Sequence, residues 1–407
     1  MIFAFVLFRR LVQSSCARRS SAALCALIFS SLCHAQPLGP VGPEFFGMVM
    51  NRSESRQPWP SLPFGSWRLW DTNTTWSQLE PQRGKWYFAH LDRLVAEAEA
   101  HSVKPMLVLA HSPEWASARP SEASAYRPGV VAEPARIEDW ENYVQAVASR
   151  YKGRIREYEI WNEPSDKSHY SGSVSKLVEL TCVAYRVLKG IDVGIRVVSP
   201  ASSGGGRHIQ YLNSFLAGGG SACVDVVAHH FYVYRQGPEA MVPLIREVRA
   251  VMKSNGVERL PLWNTETGWW IANSDGRADH PRVTGGGWRK IAVGNELAGV
   301  IQRAFLLSRA EGVERLYWYS WTNVYGWGLA NSDGSSRPGL QAWLDIYNLM
   351  LDKIVQSCVL GDVSVCELLD PVTGRKTPMR WSDASAMQSR EGAAQGASSA
   401  DVVPWKP

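Results

Sequence analysis

The chain has 407 residues, 45% of them apolar and 20% charged, with a formal net charge of +5. Four arginines stand in the first 35 residues, which hold no acid, so the remainder carries 39 basic against 38 acidic residues. That balance argues against a nucleic-acid or membrane-surface role, and the length suits one large domain of barrel size.

Residues 1–35 are expected to be a secretory signal peptide. Arg9, Arg10, Arg18 and Arg19 precede the apolar stretch Ala22 to Leu32, and Cys33, His34 and Ala35 offer a cleavage site before Gln36. A retained anchor is the competing reading, but the apolar core of about a dozen residues falls short of the roughly 20 that span a bilayer. A secreted or periplasmic chain without stable membrane insertion follows from this.

Eight apolar stretches then read as strands, each separated by turn or helical pattern. They are Phe45 to Met50, Ser66 to Asp71, Pro105 to Ala110, a run ending at Glu163, Arg196 to Ser199, Val224 to Tyr232, a run ending at Glu266, and Leu316 to Trp321. Helical periodicity fills several of the gaps: Leu91, Leu94, Val95 and Ala98; Trp140, Tyr143, Val144 and Val147; Leu177, Leu180, Ala184 and Leu188. It returns at Leu244, Ile245, Val248 and Met252, and at Ala298, Ile301, Phe305 and Leu306. Eight parallel strands alternating with helices predict an α/β fold, a (β/α)8 TIM barrel over residues 36–355. The loops Ser117 to Pro134 and Ile271 to Lys290 leave the C-terminal face, where such folds build their clefts. Residues 356–381 are expected to form a small hairpin-like extension, and the Ala-, Ser- and Gly-rich stretch 382–407 a disordered tail.

Four cysteines lie beyond the leader: Cys182, Cys223, Cys358 and Cys366. An even count in an exported chain suggests disulfides, and of the three pairings Cys182 with Cys223 and Cys358 with Cys366 is favoured. All 18 tryptophans fall after the leader, several of them near strand tips. One by one they read as core; together they suit a carbohydrate cleft, where flat ring faces cover the C–H faces of sugars.

Two strand tips carry the chemistry. The fourth strand ends in Trp161, Asn162, Glu163 and Pro164, and the seventh in Thr265, Glu266, Thr267 and Gly268. Two carboxylates on two strand tips are the equipment for hydrolysing a glycosidic bond. Together these motifs resemble the retaining glycoside hydrolases of clan A. The run Arg83, Gly84, Lys85, Trp86, Tyr87, Phe88 with Leu91 and Asp92, and Ser112, Pro113, Glu114, Trp115 after the third strand, resemble family 39, including its biofilm-exopolysaccharide hydrolase branch. The resemblance spans roughly residues 42 to 350. Family members usually carry a β-sandwich appendage, and the tail here is too short for a whole one.

The resemblance implies that Glu163 is the general acid/base and Glu266 the nucleophile. On that assignment the pKa of Glu163 should be raised by burial and by the neighbouring Glu266 charge. Glu266 should be surrounded by donors, for which Arg68 and Tyr232 are the candidates. Asn162 would hold the sugar 2-hydroxyl. His111, Trp115, His230, Trp269 and Trp321 complete the expected substrate-binding set, with Trp318 competing for the place of Trp321 because the pleat phase is open. His229 alternates away from His230 and reads as wall. Glu114, Glu159 and Asp71 read as structural. A metal hydrolase built on His111, His229 and His230 is the weaker alternative, so no metal and no cofactor is expected. The chain is expected to be a monomer acting on a poly- or oligosaccharide. An inactive sugar-binding barrel serving polysaccharide assembly is the competing function.

Overall fold

The computed structural model describes residues 38–382 apart from 52–57, 125, 234, 274–289, 292–293, 322–325, 332–334 and 338, together with 403–404. The expected leader, the centre of the loop after the seventh strand and most of the expected tail therefore lie outside the described residues.

Eight parallel strands form the barrel: β1 (Phe46–Val49), β2 (Ser66–Leu69), β3 (Lys104–Leu109), β4 (Glu157–Ile160), β5 (Arg196–Val198), β6 (Val227–His230), β7 (Leu262–Thr267) and β8 (Val313–Tyr319). The expected strands sit on these within a few residues, but β4 stops three residues short of Glu163. β1 pairs with β2 and β8, β8 with β7, β7 with β6, and β2 through β5 pair in sequence. Closure depends on the fifth strand, which is broken at Pro200 into two pieces. Arg196–Val198 pairs with β4, and the two-residue continuation Ser202–Ser203 pairs with β6. The two ends of the sheet are thus halves of one strand, and a single parallel bridge from Val198 to Val226 seals the ring.

Among the described residues, seven helices of eleven residues or more surround it: α1 (Ala89–Ala100), α2 (Ile137–Arg150), α3 (Val174–Ile191), α4 (Arg207–Ala217), α5 (Met241–Ser254), α6 (Asn295–Ala310) and α7 (Leu340–Met350). In α1 the buried residues are Leu91, Leu94, Val95 and Ala98, one stripe at i, i+3, i+4 and i+7 facing the sheet. Truncating such a leucine to alanine costs about 2–5 kcal/mol. Ser173 starts α3 by accepting from the Lys176 backbone N–H, a cap that contributes about 1 kcal/mol.

Inside the ring the alternation of strand side chains creates polar layers. Arg315 pairs with Glu157 and donates to the Tyr317 hydroxyl near one end. One layer higher, Arg68 holds Glu159, which also accepts from Thr265. The opposite phase of β8 sends Trp318 outward against Phe305 and Trp269.

Beyond the barrel the chain forms three antiparallel strands rather than a hairpin: β9 (Ile354–Val359), β10 (Val363–Leu369) and β11 (Lys376–Ser382). Val355, Leu368, Met379 and Trp381 turn into the core, and Trp381 donates to Glu239. Within the stretch expected as a tail, Val403–Pro404 pairs with β11. Disulfides join Cys182 of α3 to Cys223 and Cys358 of β9 to Cys366 of β10.

Candidate active site

Glu163 stands just beyond β4, and its backbone N–H donates to Ala201 in the gap of the broken strand at 2.9 Å. Trp161 (φ 63°) and Glu163 (φ 44°) both take the left-handed conformation, which costs a non-glycine residue on the order of 1 kcal/mol. The turns aim the carboxyl into the barrel mouth. His230, at the end of β6, donates from Nδ1 to Oε1 of Glu163 at 2.9 Å. His169, from the loop after β4, brings Nε2 to 3.7 Å from Oε2. Ser203 adds a further hydrogen bond.

Glu266 belongs to β7 itself. Arg68 Nη1 donates to its Oε2 at 2.7 Å, and the Tyr232 hydroxyl donates to its Oε1 at 2.8 Å. Arg68 also donates from Nε to Glu159 at 2.7 Å and from Nη2 to Asn162 Oδ1 at 2.8 Å, so one buried guanidinium orients three groups. The Asn162 side-chain N–H group remains for a ligand. Gly268 closes the motif through close approach: a Cβ there would lie 2.1 Å from the Tyr319 carbonyl oxygen.

Single ligand atoms of Glu163, His230 and Glu266 all lie within 4.8 Å of one another, which brings the two carboxyl groups to the short separation of a nucleophile and an acid/base. The same three atoms could hold a cation, but Arg68 beside Glu266 opposes one electrostatically. His229, part of the alternative metal set, donates from Nε2 to the Gly204 carbonyl instead. Burial pushes Glu163 up, but His230 and His169 outweigh it and hold the carboxyl at about 2. Burial lifts Glu266 above the ordinary carboxylate range, with His230 and Arg68 opposing. The expectation of a raised Glu163 thus fails, because it counted burial and Glu266 and left out the two histidines His230 and His169.

The remaining expected residues divide. His111 (φ 67°) packs on Tyr126 and Trp70 beside the cleft, and burial drops its pKa to about 3. Trp115 is turned away from a sugar-stacking role: Arg83 covers its ring at 4.2 Å, and its N–H donates to Glu80. Trp269 is likewise core, stacked on Trp318 and donating to Gln236. Trp321 is 2% exposed, and its backbone N–H donates to Val49. Trp327 instead packs against Trp270, Tyr319 and the Tyr232 that donates to Glu266. Tyr126, His169, Tyr319 and Trp327 were missed from sequence. Each comes from a loop or strand end with no periodic signal, though the aromatic content of those segments hinted at a lined cleft.

The family model for glycosyl hydrolases family 39 matches residues 66–267, from the start of β2 to the end of β7. No curated protein sequence matches the chain. Among solved structures, a family 39 glycoside hydrolase from the gut symbiont Bacteroides cellulosilyticus WH2 is 21% identical with a TM-score of 0.64, over 84% of this chain and 71% of that one. A monomeric β-xylosidase from Caulobacter crescentus CB15 is 20% identical with a TM-score of 0.61, over 85% and 75%. A GH10 protein from Paenibacillus barcinonensis, 17% identical with a TM-score of 0.53 over 76% and 96%, shares the barrel. The chain is a glycoside hydrolase of the clan A fold, and residues 66–267 tie it to family 39.

Proposed function

We propose that the protein is an exported retaining glycosidase that cleaves a poly- or oligosaccharide by double displacement. The observation carrying this is the convergence of Glu163 and Glu266 within 4.8 Å, one carboxyl held by His230 and the other by two donors. In the first step a Glu266 oxygen bonds to the anomeric carbon as the glycosidic C–O bond breaks, and Glu163 gives its proton to the departing oxygen. In the second, Glu163 takes a proton from water, whose oxygen bonds to the anomeric carbon and frees Glu266. Burial is the largest influence on Glu163 and favours its neutral form, so a sugar that displaces water from the cleft loads the acid. Arg68 and Tyr232 orient the Glu266 carboxyl for attack, Arg68 opposing the rise that burial imposes, and Asn162 offers its N–H group to the 2-hydroxyl. Export is supported by the leader-like N-terminus and the two disulfides. We take the active unit to be a monomer.

The test is a panel of activated 2-deoxy-2-fluoro glycosides, β-xylosides among them, with peptide mass spectrometry. Labelling of Glu266 supports the reading. A protein that binds the corresponding sugars without label or turnover is the inactive sugar-binding barrel. Hydrolysis of bacterial and plant polysaccharides, exopolysaccharides included, then identifies the natural substrate.

A further inference from the structure

A cavity of about 90 Å³ opens past the ends of β2 and β3, with Trp70, Asp71, Asn73, His111, Tyr126 and Arg127 among its walls. Asp71 is the acidic group on that wall. It leaves β2 in the left-handed conformation (φ 57°), so the backbone accepts strain to aim its carboxyl inward. The Tyr319 hydroxyl, from the tip of β8, donates to Asp71 Oδ2 at 2.9 Å. Tyr319 itself is hydrogen-bonded by the Asn51 side chain, from the end of β1. Asn51 Oδ1 is a buried acceptor with no hydrogen-bond partner among the described residues. Three adjacent strand tips therefore bring together a carboxylate with one oxygen engaged and an amide oxygen lacking a donor. Acceptors of this kind need donors, and sugar hydroxyls supply them. Arg68, whose charge acts on Asp71, also donates to Glu266 and so links this wall to that carboxyl.

We propose that Asp71, backed by Tyr319 and Asn51, is the specificity-determining group of the sugar-binding recess, and that it recognises a pair of neighbouring free hydroxyls on the sugar whose bond is cleaved. The proposal rests on the glycosidase reading and names what that site selects. A ring hydroxyl that donates to a partly buried carboxylate contributes far more than one facing water, because its loss leaves the charge without a partner. Asp71→Asn keeps the shape and removes the charge, and Tyr319→Phe keeps the ring and frees the second carboxylate oxygen.

The experiment compares 4-nitrophenyl pyranosides with their monodeoxy congeners on the wild type, Asp71→Asn and Tyr319→Phe. In the wild type, removing one of two adjacent hydroxyls should cost roughly 10- to 100-fold in kcat/KM. In Asp71→Asn the same deletions should cost less than about threefold, since the partner is already gone. Equal penalties in wild type and variant at every hydroxyl overturn the proposal, even where both turn over slowly. Should none of the glycosides be hydrolysed, the glycosidase reading fails separately. The same comparison is then made by calorimetry with the parent methyl glycosides and their deoxy forms, with equal affinity losses again refuting the role of Asp71. Thermal melts separate a folding defect from a selective one, because a misfolded site would weaken all congeners alike.

Discussion

His230 donates from Nδ1 to Oε1 of Glu163 at 2.9 Å, while its own Nε2 is buried without a hydrogen-bond partner among the described residues. The hydrogen bond of the imidazole thus goes to Glu163 and favours its ionised form. Replacing His230 with Phe removes that donor, so the Glu163 carboxyl should titrate at higher pH. In the kcat/KM profile, which reports the free enzyme, the basic limb should move upward. An unmoved limb would separate His230 from the protonation of Glu163. The same pairing has a stability side. A carboxyl held at about 2 stabilises the fold above its unfolded value, and this contribution disappears as the pH falls through about 2.

Glu163→Ala and Glu266→Ala should fail in different ways. Without Glu163, turnover of substrates with poor leaving groups should drop by roughly 10²- to 10⁴-fold, while activated aryl glycosides still form the glycosyl-enzyme. Azide should then restore turnover and give a glycosyl azide of retained configuration. Without Glu266 no covalent intermediate forms, and any azide product should be inverted. The opposite pair of azide products would reverse the two roles.

Net retention is expected for the wild type, since a carboxyl separation near 5 Å leaves no room for the water of an inverting enzyme. NMR of the first-formed sugar checks this, and an inverted anomer refutes it.

Arg68→Met leaves Glu159 and Glu266 buried without their cation. The cost should be about 3–5 kcal/mol of folding stability, read from the shift in denaturant midpoint. A change below about 1 kcal/mol would mean that the two carboxyls are held by other groups.

Apolar runs and the helix period made most of the fold legible: the strands around Arg68, Glu266 and Leu316, and the α1 stripe, all lie where those runs and 3.6-residue repeats put them. The helix α4, whose buried face is only Ile209, Leu212, Phe215 and Leu216 among polar neighbours, escaped that reading. The convergence of Glu163 and Glu266 could be read from sequence because each ends an apolar run beside a turn former. Trp115 and Trp269 were misplaced for the converse reason. A tryptophan near a strand tip has the same local sequence whether its ring faces the mouth or a neighbouring helix, and only Arg83 and Trp318, distant in sequence, decide. Tyr126 and His169 depend on loop paths that no local period encodes.

The disulfide lengths also separate in effect. Cys182–Cys223 closes a 41-residue span and Cys358–Cys366 one of 8. By loop entropy their removal should cost about 4 and about 2.5 kcal/mol respectively, and melting of the two double-serine variants gives the comparison. A larger loss for the shorter loop would show that packing around β9 and β10 dominates.

Pro200 divides the fifth strand, and Cys182–Cys223 ties α3, which precedes that strand, to the segment entering β6, which follows it. The bond thus joins elements on either side of the broken strand. Glu163 reaches across the break to Ala201 and to His230 on its far side, whereas Glu266 sits in an unbroken strand. Reduction should therefore loosen the acid/base before the nucleophile. Amides of β5 and β6 should exchange faster, and hydrolysis should shift toward activated leaving groups while labelling of Glu266 persists. A thiol-rich environment would then detune the enzyme without unfolding it.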